Sequence, residues 1–131
     1  MGPFSFRKEE RLHKRKEIQE LFEKGSSFHL HPFKVLVMQQ PTGPGPHKVL
    51  ISIPSRIFRK AVERNLLKRR IREAYRTQKH KLPKGDKLVL GLVYTASETL
   101  SYAAIQSKIV LVFARAQKVL KQKGTSDGIQ A

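Results

Sequence analysis

The sequence predicts an α+β fold, a two-layer α/β sandwich with helices packed against a mostly antiparallel sheet. Stretches with helical spacing alternate with extended, β-branched stretches in the order helix, two or three strands, helix, strand, helix. Proline- and glycine-rich breaks separate them. The chain has 131 residues and is 39% hydrophobic, enough for one domain with its own core. We expect that domain over residues 1–122, followed by a flexible tail.

Residues Met1 to Lys8 read as an extended arm carrying Phe4 and Phe6. Arg11 to Lys24 reads as a short helix in which Ile18, Leu21 and Phe22 share a face, and Gly25 is placed to end it. Ser26 to Gln40 reads as extended, with Phe33, Val35 and Val37 alternating with Lys34 and Leu36. The Pro41 to Pro46 stretch is a loop dense in chain breakers, and Lys48 to Ile53 is a short apolar strand, so these two extended segments suggest an antiparallel hairpin.

A helix follows, from about Arg59 to Lys79, and Leu82 to Gly85 breaks it. Lys87 to Tyr94 is almost continuously apolar, as a central strand buried on both faces should be, and Gly91 marks a close approach. The unit from Lys48 to Tyr94 has the form of a crossover, so part of the sheet is expected to be parallel. Ser101 can cap a last helix, in which Tyr102, Ile105, Ile109, Val112, Phe113, Ala116 and Leu120 recur at helical spacing. Lys123 to Ala131 reads as a frayed tail.

Charge decides the class of partner. Lysine and arginine number 27 against 10 acids, a formal charge of +17. So basic a globular chain points to nucleic acid or an anionic surface. No apolar run approaches a membrane span, Met1 to Arg11 lacks the apolar core of a signal peptide, and cysteine is absent. A cytoplasmic protein without membrane association or disulfides is expected, with no obligate protein partner evident.

The charge concentrates in one place. From Arg56 to Arg76 there are nine lysines or arginines and two acids, Glu63 and Glu73. On a helical wheel, Leu67, Ile71, Ala74 and Tyr75 fall on one side, and Asn65, Lys68, Arg69, Arg72 and Arg76 fall together beside them. A solvated charged face is the ordinary reading of such a run. Here it is nearly all one sign and segregated. Like charges at this density repel unless something anionic lies against them, and the planar arginine fork suits phosphate.

Catalytic signatures are missing. A metal-dependent nuclease needs converging carboxylates, yet the only aspartates are Asp86 in a turn and Asp127 in the tail. Glu17 and Glu20 sit among lysines and arginines and suit ion pairing. His29 and His31 alternate but lack a third ligand, and His13, His47 and His80 are expected to face solvent. There is no phosphate-binding glycine loop and no nucleophile motif. No catalytic residue and no metal site is expected in the protein.

Four features occur in a fixed order: Arg11-Leu12, a helix ending LFEKG, a strand running into SIPSR, and KAVERNLLKRRIREAY. This order resembles the protein subunit of bacterial ribonuclease P, from about Phe6 to Lys118. The family helix reads close to A-V-x-R-N-R-x-K-R-x-x-R-E. Ala61, Val62, Arg64, Asn65, Lys68, Arg69, Arg72 and Glu73 match it, and Leu66 stands where the family carries its second arginine.

The resemblance implies a four-stranded sheet in the order α-β-β-β-α-β-α, with a left-handed βαβ crossover through the basic helix, like the second domain of ribosomal protein S5. It implies an endoribonuclease subunit in tRNA processing: the ribonucleoprotein removes the 5′ leader of precursor tRNA. Its catalytic RNA cuts, with magnesium held mainly by RNA and substrate, while the protein binds both RNAs. The expected RNA-binding residues are Arg56, Arg59, Lys60, Arg64, Asn65, Lys68, Arg69, Arg72 and Arg76. The expected leader cleft lies between the first helix and the sheet, floored by Ile18, Phe22, Phe33 and Leu36, with Ile18 and Leu36 where relatives often have aromatic rings. A non-enzymatic RNA-binding protein, such as a ribosomal or chaperone component, is the alternative. A helix-turn-helix DNA binder fits worse, because no short helix sits beside the basic one.

Overall fold

The computed structural model describes residues 10–12, 14–40, 47–82 and 87–130, and the side chains of all of these but 40 and 121–130. The expected arm over 1–8, the loop over 41–46 and most of the 82–85 break lie outside the described residues. The elements are α1 (Arg15–Lys24), β1 (Ser26–Leu30), β2 (Phe33–Gln40), β3 (Lys48–Ser52), α2 (Ala61–Gln78) with a 3₁₀ turn at Lys79–Lys81, β4 (Lys87–Tyr94) and α3 (Tyr102–Gln130). None of the described helices is long and apolar enough to cross a membrane.

The sheet has four strands in the order β1-β2-β4-β3. β1 pairs antiparallel with β2, β2 antiparallel with β4, and β3 parallel with β4. The hairpin expected between β2 and β3 is therefore not formed. β4 lies between them, and β3 reaches it in parallel through α2. The real hairpin is β1–β2. Pro32 supplies no backbone donor and has a fixed φ, so His31-Pro32 breaks the extended run into two strands.

Two clusters fill the two faces of the sheet. Phe33, Val35 and Val37 of β2 and Leu88, Leu90, Leu92 and Tyr94 of β4 pack with α2 and α3. On the other face, Leu36 and Val89 pack with Leu12 and with Leu21 of α1. The sheet thus carries α2 and α3 on one side and the short α1 on the other. β4 is covered on both, which explains its unbroken apolar sequence.

α2 is held by the stripe that its periodicity predicts. Leu67, Ile71, Ala74 and Tyr75 are each 0% exposed, and burying a large apolar side chain contributes about 1.5–3 kcal/mol. Tyr75 meets Phe113 of α3 edge-on at 5.9 Å. α3 starts where Ser101 Oγ accepts the Ala104 N–H at 3.3 Å, and its buried face is Ile105, Ile109, Val112, Phe113 and Ala116. Its backbone stays helical to Gln130, well past the Lys123 at which the sequence suggests fraying. No proline interrupts the segment, and a helix already nucleated extends at one bond per residue.

α1 starts at Arg15, four residues later than expected, because Arg11 and Leu12 are held against Val49 of β3. Gly25 ends it by close approach: an added Cβ would stand 2.4 Å from the Leu21 carbonyl oxygen. Gly91 serves the same packing from below, since a Cβ there would lie 3.1 Å from Leu21 Cδ2. The glycine lets α1 settle onto β4.

Candidate nucleic-acid interface

With its apolar stripe buried, α2 must turn the neighbouring wheel positions outward. Asn65 and Arg69 are exposed, and Lys68, Arg72 and Arg76 are half-buried along the same side. Arg56, Arg59 and Lys60 are exposed in the approach to the helix, with Lys60 at its N-cap position. The basic residues of α2 thus share one side of the helix, and Arg56, Arg59 and Lys60 lie in the chain that leads into it.

Not all of them are equally available. Arg64 Nη1 donates to the carbonyls of Phe58 at 2.6 Å and Arg59 at 2.9 Å, so this arginine ties down the loop that leads into α2. Arg76 holds Glu73 through two nitrogens, Nη2 at 2.5 Å and Nε at 3.1 Å. That bond holds the exposed Glu73 carboxyl below its ordinary pKa. Burial, reinforced by the charge of Arg11, lowers the pKa of the Arg72 guanidinium. Arg70, on the far border of the buried stripe, donates to the Leu100 carbonyl at 2.6 Å and anchors α2 to the start of α3.

Several acids have structural partners. Glu17 Oε2 pairs with Lys48 Nζ at 3.1 Å, joining α1 to β3. Glu10, 3% exposed, pairs with Lys79 at the end of α2. Among the described residues, no three His, Cys, Asp or Glu side chains converge on one point. His47 does not face solvent as expected: its Nδ1 accepts the Leu88 N–H at 2.9 Å, securing the start of β4.

The second expected surface is only partly assembled. Phe22 is 51% exposed on α1, and Ile18 is half-buried beside it. Leu36 lies on the α1 side of the sheet but is 4% exposed, packed beneath Leu21 and beside Gly91, so it is core and offers no surface. Phe33 does not belong to the cleft. It is 0% exposed on the opposite face, edge-on to Tyr94 at 6.0 Å. The cause is the pleat: positions 33 and 36 differ by an odd number, so their side chains leave opposite faces. The same rule adds residues that sequence reasoning missed. Ser27, His29 and Lys34 are exposed and share the face of Leu36.

A cationic helix side on an α+β sandwich, with the half-exposed Phe22 on the other side of the sheet, defines a polyanion-binding protein. The comparisons are specific. The family model described as Ribonuclease P matches residues 6–117. The chain belongs to the ribonuclease P protein family. It is 39% identical over 80 residues to the ribonuclease P protein component of Porphyromonas gingivalis, covering 60% of this chain and 58% of that protein, which is less than two thirds of its length. It is 35% identical over 91 residues to the component of Picosynechococcus, covering 70% of this chain and 77% of that protein. Among solved structures, the RNase P protein of Thermotoga maritima is similar with a TM-score of 0.65 and 28% identity, over 81% of this chain and 96% of that one.

Proposed function

We propose that this chain is the protein subunit of ribonuclease P: it binds the catalytic RNA and the 5′ leader of precursor tRNA, and it assists removal of that leader by the RNA. The observation that carries this reading is the geometry of α2. Four fully buried side chains hold one side of the helix, so Lys68, Arg69 and Arg72 are turned to the neighbouring side before any RNA arrives. Family membership supplies the identity of the RNA.

Each step assigned to this chain is a binding step. Arg56, Arg59, Lys60, Asn65, Lys68, Arg69 and Arg72 face the catalytic RNA, with Arg64 and Arg76 contributing the charge left after their internal bonds. Phosphate contacts release counterions and offset the repulsion between two RNAs brought together. Phe22 offers a face on which a leader base can stack, worth about 1–3 kcal/mol. Ile18 borders it, and Lys34 lies on the same face of the sheet. In this reading magnesium is held by the RNA and the substrate.

The test is reconstitution. Mixing the protein with a bacterial ribonuclease P RNA and a precursor tRNA at low magnesium should give leader cleavage only when both protein and RNA are present. Cleavage by the protein alone, or no stimulation of the RNA, refutes the reading.

A further inference from the structure

The chain just before α1 is held with unusual thoroughness for a segment outside any long element. Leu12 is 3% exposed in the core beneath α1. Its N–H donates to the Val49 carbonyl at 2.9 Å, and Arg11 bridges Val49 in the parallel sense, so the segment extends the sheet at its β3 edge. Glu10 turns the other way, into the fold, and its carboxylate meets Lys79 Nζ at 2.5 Å. Lys79 and Arg72 are seven residues apart, which is two turns, so they lie above one another on α2 and its C-cap. Tyr75 lies between them on the border of the buried stripe. The segment therefore lies beside the C-terminal end of α2, and Arg11 is its exposed member.

We propose that Arg11 belongs to the RNA-binding surface, adding a guanidinium beside the C-terminal end of α2, and that Glu10 is the positioning residue that pins it there through Lys79. Two distant parts of the chain then contribute one surface. The carboxylate of Glu10 is spent inside, where it neutralises a lysine and leaves the outer surface positive. This inference rests on the reading of the protein as an RNA binder.

The experiment is the salt dependence of affinity for a bacterial ribonuclease P RNA, measured for the full chain. Arg11→Gln alters an exposed side chain and should lower the slope of log affinity against log salt by about 0.7–0.9, one phosphate contact. Arg11→Lys should restore it. Glu10→Gln should lower the slope by the same amount, and the double variant Glu10→Gln/Arg11→Gln no further, because the two act as one unit. An unchanged slope in Arg11→Gln overturns the inference, as does a Glu10→Gln variant that loses thermal stability while keeping the wild-type slope. If the wild-type protein shows no salt-dependent affinity at all, the functional reading itself fails. A steep wild-type slope that only Arg72→Gln reduces leaves that reading intact and sinks this inference alone.

Discussion

The Arg64 guanidinium donates to the Phe58 carbonyl at 2.6 Å, fastening the last buried aromatic before α2 to the helix it leads into. Phe58 in turn packs on Tyr94, with ring centroids 5.7 Å apart. Arg64 therefore has two duties, structural through Nη1 and electrostatic through its charge. Arg64→Ala should lower stability by about 1–3 kcal/mol in urea denaturation, the cost of removing a charged donor from its acceptors. Arg64→Lys separates the duties, because lysine keeps the charge but not the fork. It should retain the salt slope of RNA binding and still lose stability.

Lys68→Ala or Arg72→Ala should weaken binding to the catalytic RNA and flatten its salt dependence by about 0.7–0.9 per lost contact. Lys68 is half-buried at the edge of the stripe, so Lys68→Ala in particular should leave the unfolding midpoint nearly unchanged. An unchanged salt slope would remove that face of α2 from the interface.

Phe22 and Phe33 should behave oppositely. Phe33→Ala empties a fully buried site and should cost about 3–5 kcal/mol of stability, lowering binding of every RNA only by unfolding the protein. Phe22 is half in solvent, so Phe22→Ala should cost less than about 0.5 kcal/mol in folding. It should weaken binding of precursor tRNA and spare mature tRNA. Equal losses on both substrates would show that Phe22 does not touch the leader.

Alkaline pH offers a check on the core. Burial raises the phenol pKa of Tyr75 above its ordinary 10.0, and the Glu10 carboxylate raises it further. Burial does the same to Tyr94. Above that pH the unfolded chain gives up protons that the folded one keeps. The stabilisation is thus complete below a pH of about 10 and declines as the pH climbs towards the folded-state values. The denaturation midpoint should fall on going from a pH of about 9 to about 11, and Tyr75→Phe should make that fall shallower.

Much of this architecture follows from local periodicity. α2, its buried stripe and its cationic side follow from a 3.6-residue repeat, and β4 from an apolar run too continuous for a half-exposed strand. The position of Phe33 was also readable, since an odd spacing from Leu36 forces it to the other face. Other features depend on contacts between distant residues. Nothing local indicates that Arg70 reaches Leu100, that Glu10 reaches Lys79, or that His47 receives the Leu88 N–H. The place of β3 is of the same kind: only the completed sheet shows that β4 separates it from β2.

That arrangement has a consequence for synthesis. β4 is the last strand made, yet it is the one bonded to both β2 and β3. While Tyr94 is still inside the ribosome, the β1–β2 hairpin and β3 have no shared neighbour, and α2 has no platform. Joining them closes contacts far apart in the chain, which slows folding. A chain cut short before Lys87 would therefore carry the whole basic helix without the strand that joins β2 to β3.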